Sequence, residues 1–568
     1  MKSWRTAPNA LEGAKGLSEE SKWPLAAAAI LYRRGLTTAE QVDRFVNPRL
    51  SDLSDPGDLP DMQPAVDRIA HALRSRERIT VFGDYDVDGI TSAALLSRTL
   101  RAMGGQVSTF IPHRENDGYG LHVATVKHCL DTFEPGLLLT VDCGTGSAEA
   151  VRYAASRNVD VVITDHHDLS GELAPAVAVI NPKRNPSDLP WSGLCGVGVA
   201  FKLCDALVKA GRLDIDLRED LDLVALGTIA DVVPLTGENR ILVRHGLARL
   251  QATTNPGLQA LLRICGVKGE IGSYHVGFML APRLNVAGRL GTAERALELM
   301  LTEDPAHAEA IASELNLANL ERRKIENEAC LLAEKQVSAT FDPQRDFGLV
   351  VYSPDWHPGI IGIVASRLVA RYHRPVVVVT TQKDGRTRGS SRSIEGFNLV
   401  EALDSCSDTL LRHGGHAMAA GIEIDRLKID AFREKFSEAA ATKLRGLDLQ
   451  PVQLVEEWVT LAEVDDPLLK AVESMHPFGI GNPSPVFAST RLTVLGRPRV
   501  VGERHLAMTL LDGRESRDVI GFRMADRTLP DGPLDAAFTI QRRECRGRQP
   551  IQLVLQDFRP SSEPQSLA

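Results

Sequence analysis

Between residues 78 and 163, short apolar runs alternate with longer amphipathic segments. Runs rich in β-branched residues predict strands at 78–82, 106–111, 137–141 and 159–163, and the segments between them predict helices at 91–103, 123–129 and 148–156. This alternation is typical of α/β proteins with a doubly wound, mostly parallel sheet. Each predicted strand should point its carboxyl end at one shared edge of the sheet, where such folds bind their ligands.

Three aspartates follow the first predicted strand at alternate positions, Asp84, Asp86 and Asp88, and a helix is expected to begin near Ile90. Carboxylates at this density repel one another unless a cation neutralises them. Oxygen ligands of this kind suit Mg²⁺ or Mn²⁺. The alternative interpretation is a solvated acidic turn, since aspartate-rich turns are common.

More potential ligands follow other apolar runs. Asp142 follows the predicted strand at 137–141, and the group Asp165, His166 and His167 follows the one at 159–163. Asp231 lies at the end of another apolar run, within 226–233, that we count as a further strand end. Any one of these residues is more often a helix cap or a turn residue. Together at one edge they would suffice for two metal ions, with a bridging carboxylate and room for water and phosphate.

The pattern changes beyond residue 245. Residues 306–337 contain no proline or glycine and predict a rigid helix about 50 Å long; a coiled-coil helix is the alternative, but the heptads are not sustained. A second α/β domain begins near residue 347, and five short strands after residue 490 fit a small barrel. The predicted divisions are a helical leader (1–50), the first α/β domain (51–245), a helical connector (246–345), the second α/β domain (346–448), the barrel (449–558) and a disordered tail (559–568).

The composition of the chain argues against several classes of protein. With 568 residues, 43 % of them hydrophobic and 24 % charged, the chain is typical of a globular multidomain protein, and no apolar run reaches the roughly 20 residues of a membrane helix. The eight cysteines form no C-x-x-C pair, which argues for a reducing cytoplasm and against structural zinc. The net charge of −9 disfavours a nucleic-acid partner at first sight, yet residues 491–559 hold many arginines and no lysine.

The strings D-Y-D-V-D-G, V-D-C-G, T-D-H-H and G-T-I-A-D, in this order, resemble the motifs of the DHH phosphoesterase family. The resemblance implies two Mn²⁺ or Mg²⁺ ions, with Asp142 bridging them and His167 contacting phosphate or supporting the site. The catalytic residues it implies are Asp84, Asp86, Asp88, Asp142, His166, His167 and Asp231. Of these, one metal would use Asp84, Asp86 and Asp142, and the other Asp88, Asp142, His166 and Asp231.

Further strings resemble the RecJ branch of that family: A-P-R-L-N-V-A-G-R at 281–289, W-H-P-G-I-I-G-I-V-A-S-R at 356–367, G-G-H-A-M-A-A-G at 414–421 and P-F-G-I-G-N-P-S-P at 477–485. Val286 departs from the alanine more usual there, and His113 from an asparagine. The resemblance identifies the second α/β domain as DHH-associated and the barrel as an OB-fold. The substrate-binding residues it implies are Arg114, Tyr119, Arg283, Asn285, Arg289, Ser390, Arg392 and His416.

The resemblance therefore implies a monomeric, cytoplasmic exonuclease that degrades single-stranded DNA from the 5′ end and releases 5′-mononucleotides in DNA recombination and repair. Single-strand-binding protein and a helicase are the protein partners it suggests. Two alternatives are a DHH phosphodiesterase acting on short oligonucleotides or cyclic dinucleotides, and a non-catalytic single-strand-binding scaffold.

Overall fold

The structure is a computed structural model that describes residues 2–113, 120–169, 171–185, 188–290, 293–382, 384–543 and 551–561. The strands in these residues are β1 (Ser3–Thr6), β2 (Arg78–Gly83), β3 (Gln106–Phe110), β4 (Leu137–Val141), β5 (Asp160–Thr164), β6 (Ala178–Ile180), β7 (Leu349–Tyr352), β8 (Val376–Thr381), β9 (Thr387–Arg392), β10 (Leu410–Gly415), β11 (Ala419–Ile424), β12 (Val452–Val455), β13 (Glu457–Trp458), β14 (Phe487–Val501), β15 (His505–Leu511), β16 (Ser516–Gly521), β17 (Leu534–Arg542) and β18 (Ile551–Pro560).

The helices in the same residues are α1 (Leu11–Ser21), α2 (Leu25–Arg33), α3 (Ala39–Val46), α4 (Met62–Ser75), α5 (Val87–Ala102), α6 (Val123–Phe133), α7 (Ala148–Ser156), α8 (Gly196–Gly211), α9 (Leu221–Ala230), α10 (Gly237–Gln251), α11 (Pro256–Cys265), α12 (Ser273–His275), α13 (Ala281–Asn285), α14 (Ala287–Leu290), α15 (Glu294–Leu301), α16 (Pro305–Ser338), α17 (Ile361–Tyr372), α18 (Leu399–Asp404), α19 (Ile429–Leu444) and α20 (Asp466–Ser474). They and the strands form two compact units. The first unit contains Met1–Ala281, Leu297–Ala308 and Val452–Ala568, and the second contains Pro282–Ala296 and Glu309–Pro451.

The first unit contains a five-stranded parallel sheet in the order β3-β2-β4-β5-β6. Strand β4 is buried throughout, as expected for a parallel strand covered on both faces. Helices α6 and α7 share the core of one face, and α5 and α8 pack on the other. The prediction of a doubly wound, mostly parallel sheet is confirmed; the short β6 was not predicted.

The first unit also contains a closed β-barrel. Strands β14, β15, β16, β18 and β17 are hydrogen-bonded in this order, and pairing of β14 with β17 closes the ring. The five strands predicted after residue 490 and their OB-type barrel are confirmed. The predicted disordered tail began at residue 559, which is too early, because Arg559 and Pro560 still pair with β17. Residues 562–568 lie outside the described residues.

The N-terminal segment packs against this barrel. Side chains of α1, α2 and α3, including Leu17 and Ile30, lie in one hydrophobic core with barrel residues such as Phe538. Strand β1 pairs in parallel with β12. The segment was predicted to be helical throughout, so β1 corrects that prediction.

The second unit is built on the mixed sheet β10-β11-β9-β8-β7, in which only β7 and β8 run parallel. The predicted long helix is α16, with 34 residues and a length of about 51 Å at 1.5 Å per residue. The Asp304 side chain accepts a hydrogen bond from the Ala306 amide and caps its first turn. Among the described residues, no helix combines the length and apolarity needed to span a membrane.

Candidate metal centre and active site

The three clustered aspartates occupy the junction between β2 and α5. Asp86 is the N-cap of α5, and its Oδ1 accepts hydrogen bonds from the amides of Asp88 (2.9 Å) and Gly89 (3.1 Å). This cap starts the helix at Val87, three residues before the predicted start. As a result Asp88 lies in the first helical turn, and it is buried like Asp84.

Asp142 follows β4 in a left-handed backbone conformation, with φ +61°. Few residues other than glycine adopt this conformation, and such strain is concentrated at functional sites. The Asp142 amide donates to the Thr164 carbonyl at 2.9 Å, which fixes the residue beside the end of β5. Its carboxylate is buried, with Oδ1 3.0 Å from His166 Nε2.

The carboxylates of Asp231 and Asp88 also lie close to His166. Its Nε2 lies 3.6 Å from Asp231 Oδ2 and 3.7 Å from Asp88 Oδ2. Asp231 arrives from a different element than predicted, because residues 221–230 form the helix α9 and Asp231 caps its C-terminus. Counting Asp231 as a strand end was therefore wrong, although the predicted convergence of these residues is observed.

Within the part of the chain that the structure describes, three buried atoms at the centre of this cluster form no hydrogen bond: Asp142 Oδ1, His166 Nε2 and Asp231 Oδ2. Buried polar atoms are normally satisfied, and oxygen and nitrogen ligand atoms that converge in this way fit a cation. Potential ligand atoms of Asp84, Asp86 and Asp142 also lie within 4.8 Å of one another, as do those of Asp88, His166 and Asp231. The six predicted metal ligands thus form two neighbouring groups.

Asp165 and His167 have a different arrangement. The Asp165 carboxylate accepts hydrogen bonds from the amides of His166 (2.7 Å), His167 (3.1 Å) and Thr145 (2.9 Å), and from His167 Nδ1 (2.8 Å). Burial lowers the pKa of His167, but the bond to Asp165 outweighs it and raises that pKa to about 8. Burial would raise the pKa of Asp165, but the same bond holds it below its usual range. Asp165 therefore orients both histidines.

Two backbone donors escaped the sequence analysis. At the start of α8, the amides of Gly196 and Val197 donate to Asp88 Oδ2 (2.6 Å) and Oδ1 (2.7 Å). A Cβ on Gly196 would lie 2.8 Å from Asp142 Cβ and Oδ1, so this glycine touches two of the potential ligands. The G-V-G string ahead of an apolar helix was the available signal, since a helix N-terminus favours anions.

Burial shifts the pKa values of the aspartates and the histidine in this cluster. It raises the pKa of Asp88 to about 7, that of Asp231 to about 8 and that of Asp142 well above its usual value, with repulsion between the aspartates adding to each shift. Burial also lowers the pKa of His166 to about 3, which keeps its imidazole neutral. The histidine is therefore ready to donate a lone pair, whereas at neutral pH the carboxyl groups of Asp88, Asp142 and Asp231 ionise fully only when a cation binds.

We expect the metal-free protein to lose stability between pH 6.5 and 8.5. In this range the folded chain still holds protons on Asp231, Asp142 and His167 that the unfolded chain has released, so the free energy of unfolding falls as pH rises. The expected slope is about 1.4 kcal/mol per pH unit for each proton. Urea denaturation in a chelator measures it, and saturating Mn²⁺ should remove most of the slope, because metal-bound carboxylates are already ionised in the folded chain. A pH-independent midpoint in the chelator would contradict the prediction.

A second group of predicted residues lies in the second unit, around the first turn of α17. Arg289 Nη1 donates to the Gly359 carbonyl at 3.0 Å, and Arg392 Nη1 donates to Ser390 Oγ at 3.2 Å. A Cβ on Gly362 would lie 3.0 Å from both Arg392 Nη2 and Ser390 Oγ. Two guanidinium groups and a hydroxyl next to a helix N-terminus form an environment that favours an anion.

The other predicted substrate residues are more dispersed. Arg283 Nε donates to Asn316 Oδ1 on α16 at 3.0 Å, and Asn285 ends α13. His416 lies in the turn between β10 and β11, where its amide donates to the Ala419 carbonyl at 2.8 Å. Ala419 in turn pairs with Arg392 across the sheet. Arg114 and Tyr119 lie outside the described residues.

Comparisons with known proteins agree with this architecture. Models of the DHH family N-terminal domain, the DHHA1 domain and the RecJ OB domain match residues 78–228, 346–442 and 455–557. The single-stranded-DNA-specific exonuclease RecJ of Bacillus subtilis is 36 % identical over 552 residues, which cover 96 % of this chain and 69 % of the relative. The protein of the same name from Dickeya dadantii is 37 % identical over 575 residues, which cover 95 % of this chain and 98 % of that relative.

The crystal structure of RecJ from Thermus thermophilus in complex with Mn²⁺ superposes with a TM-score of 0.85 at 33 % identity, covering 99 % of this chain and 80 % of that one. The crystal structure of the same protein with Mg²⁺ superposes with a TM-score of 0.78 at 33 % identity. That match covers 99 % of this chain and 79 % of the other. These matches extend over nearly the whole chain and include all three domain types. The chain belongs to the RecJ family of the DHH phosphoesterases.

Proposed function

We propose that this chain is a metal-dependent exonuclease that degrades single-stranded DNA from the 5′ end and releases 5′-mononucleotides during DNA recombination and repair. The observation that carries the proposal is the convergence of Asp142 Oδ1, His166 Nε2 and Asp231 Oδ2, three buried atoms that form no hydrogen bond among the described residues. Relatives named single-stranded-DNA-specific exonuclease, at 36–37 % identity over nearly the full chain, support the choice of substrate.

The proposed cofactors are two divalent ions, Mn²⁺ or Mg²⁺. We assign Asp84, Asp86 and Asp142 to one ion and Asp88, Asp142, His166 and Asp231 to the other, with Asp142 shared. A hard oxygen-rich set with one imidazole suits both metals. When bound, such ions supply Lewis acidity toward phosphate and lower the pKa of water.

The chain's own residues orient the substrate. His167 is largely protonated at neutral pH because of its bond to Asp165, so its Nε2 is suited to donate a hydrogen bond to a phosphate oxygen. Arg289, Ser390 and Arg392 supply further donors beside the first turn of α17. We assign phosphate binding to them, and likewise to Arg283, Asn285 and His416.

The barrel is the proposed binding platform for the single strand. Arg497 and Arg499 lie in the exposed stretch of β14. Phe522 is 53 % exposed and meets His505 edge-to-face with ring centroids 5.2 Å apart. Cationic side chains along an OB barrel with an available aromatic face suit backbone phosphates and stacked bases.

The proposal includes action as a monomer in the cytoplasm, where the DNA substrate of such an enzyme is found. Single-strand-binding protein and a helicase are its proposed partners, because a helicase supplies unwound strands and single-strand-binding protein covers them.

Digestion of single strands of about 40 nucleotides, labelled at either end, tests this function. A 5′ label should appear in mononucleotides from the earliest times and a 3′ label only at the end, with Mn²⁺ or Mg²⁺ present and no reaction in a chelator. Blunt duplex of the same sequence is the control substrate. Faster hydrolysis of dinucleotides or cyclic dinucleotides than of long strands would contradict the proposal, as would strand binding without hydrolysis.

A further inference from the structure

The string P-F-G-I-G-N-P-S-P has no role in the chemistry described so far, yet part of it contacts the metal centre's surroundings. Its residues 479–482, here called the glycine turn, lie against residues 231–236, here called the ligand loop because they start with Asp231. Both segments belong to the first unit. The contact therefore links the region leading into the barrel to a residue of the proposed metal site.

The glycine turn is rigid. The Gly479 amide donates to the Asn482 carbonyl (2.9 Å), and the Asn482 amide donates back to the Gly479 carbonyl (3.2 Å). The fully buried side-chain amide of Asn482 donates to the carbonyls of Met475 (2.9 Å) and Pro477 (2.8 Å). Gly481 has φ +74°, a conformation that favours glycine. The turn thus has one well-determined shape.

Each part of the turn touches the ligand loop. The Leu235 amide donates to the Ile480 carbonyl at 2.7 Å. A Cβ on Gly479 would lie 2.7 Å from Leu235 Cδ1. A Cβ on Gly481 would lie 3.0 Å from Thr236 Cγ2 and 3.2 Å from Pro234 Cβ. The close approach of the two segments therefore depends on both glycines.

The ligand loop requires support of this kind. Val232 has φ +64°, a conformation that is strained for a β-branched residue, and its side chain is 62 % exposed, so little packing holds it. Strained backbone persists only where the surrounding structure fixes it. On the N-terminal side the Asp231 amide is fixed to Gly227 at 2.9 Å, and on the C-terminal side Leu235 is fixed by the glycine turn.

We infer that the glycine turn is a positioning element for Asp231. By fixing Pro234 and Leu235 it maintains the strained backbone at Val232 and directs the Asp231 carboxylate toward His166. The inference rests on the proposed function in one respect, the role of Asp231 as a metal ligand. It gives the C-terminal region a second task beside strand binding, which is to complete one of the two metal sites.

Gly481→Ala in the full chain tests the inference, with Gly496→Ala as the matched control. Gly496 has a similar φ of +77°, but a Cβ there meets nothing within 4 Å, so the control introduces the same backbone strain without the contact. Mn²⁺ is titrated by electron paramagnetic resonance in the absence of DNA. We expect Gly481→Ala to weaken one of two Mn²⁺ sites about tenfold and Gly496→Ala to leave both unchanged.

Kinetics give a second readout that a merely structural role would not change. For Gly481→Ala, excess Mn²⁺ should restore most of kcat, and KM for single-stranded DNA should stay within about twofold of the unchanged chain. Equal Mn²⁺ affinities in the two glycine variants, or a loss confined to KM, would overturn the inference.

Gly479→Ala provides a milder variant in case Gly481→Ala does not fold. Its new methyl group meets the end of the Leu235 side chain, so Leu235→Ala should relieve the contact and the double variant should bind Mn²⁺ more tightly than Gly479→Ala. Additive effects would count against the inference. Because the titration contains no DNA, a chain that binds two Mn²⁺ but leaves strands intact would contradict the proposed function alone; a chain that binds no Mn²⁺ would overturn both.

Discussion

Replacing Asp142 by asparagine should lower kcat for hydrolysis of single-stranded DNA by at least about 10³-fold, while the affinity for DNA changes by less than about threefold. Asp142 lies in one ligand group with Asp84 and Asp86, and its Oδ1 is 3.0 Å from His166 of the other group, so we propose that both metal ions share it. Asparagine has the same shape and tolerates φ +61°, so the backbone should be kept while the shared charge is lost. Residues that act as one catalytic unit show losses of this size when a single member is removed.

Asp160→Asn is the matched control for this prediction. Asp160 opens β5 at the opposite end from the metal centre, and its carboxylate forms an ion pair with Arg68 at 2.6 Å. We expect its activity to stay within about twofold of the unchanged chain. Single-turnover digestion measures the chemical step, and fluorescence anisotropy in a chelator measures DNA binding. An Asp142→Asn variant that retains more than a tenth of the activity would contradict the shared-ligand assignment.

Gly196→Ala should lower kcat/KM by about 10²-fold, the second largest effect that we expect. The added Cβ would lie 2.8 Å from Asp142, and the same residue's amide holds Asp88, so the substitution displaces two carboxylates at once. Displacements of about 1 Å at a catalytic site cost this much. The affinity for single-stranded DNA should change little, because the substitution removes no charged or hydrogen-bonding side chain.

Gly193→Ala separates this effect from a general cost of replacing glycine near α8. A Cβ at residue 193 would meet only Asn239 Nδ2, at 3.9 Å, so its activity should be close to that of the unchanged chain. Steady-state rates at several Mn²⁺ concentrations compare the two variants. Equal rates for both would show that the approach of α8 to Asp142 is not critical.

Sequence patterns were sufficient for the parallel sheet because β2, β4 and β5 are apolar and bounded by polar or glycine-containing turns. They also predicted which acidic residues would meet, since parallel strands end at one edge. Asp231 was assigned to the wrong element for a physical reason. Helix α9 is buried on nearly every side, and a short, continuously apolar segment has no periodicity that separates a helix from a strand.

Other features depend on contacts between distant residues. The amides of Gly196 and Val197 hold Asp88 across more than a hundred residues, and β1 pairs with β12 across more than four hundred. In both pairs, the sequence around one partner does not indicate where the other partner lies. The early start of α5 could have been read from the sequence, because aspartate is a favoured N-cap residue and Asp86 occupies that position.

The shared core of α1–α3 and the barrel has a consequence for synthesis of the protein. Leu17 and Ile30 leave the ribosome hundreds of residues before Phe538, the side chain with which they share a core. The apolar faces of the first helices therefore stay uncovered until the barrel has been synthesised, and the core that they share with it forms only then.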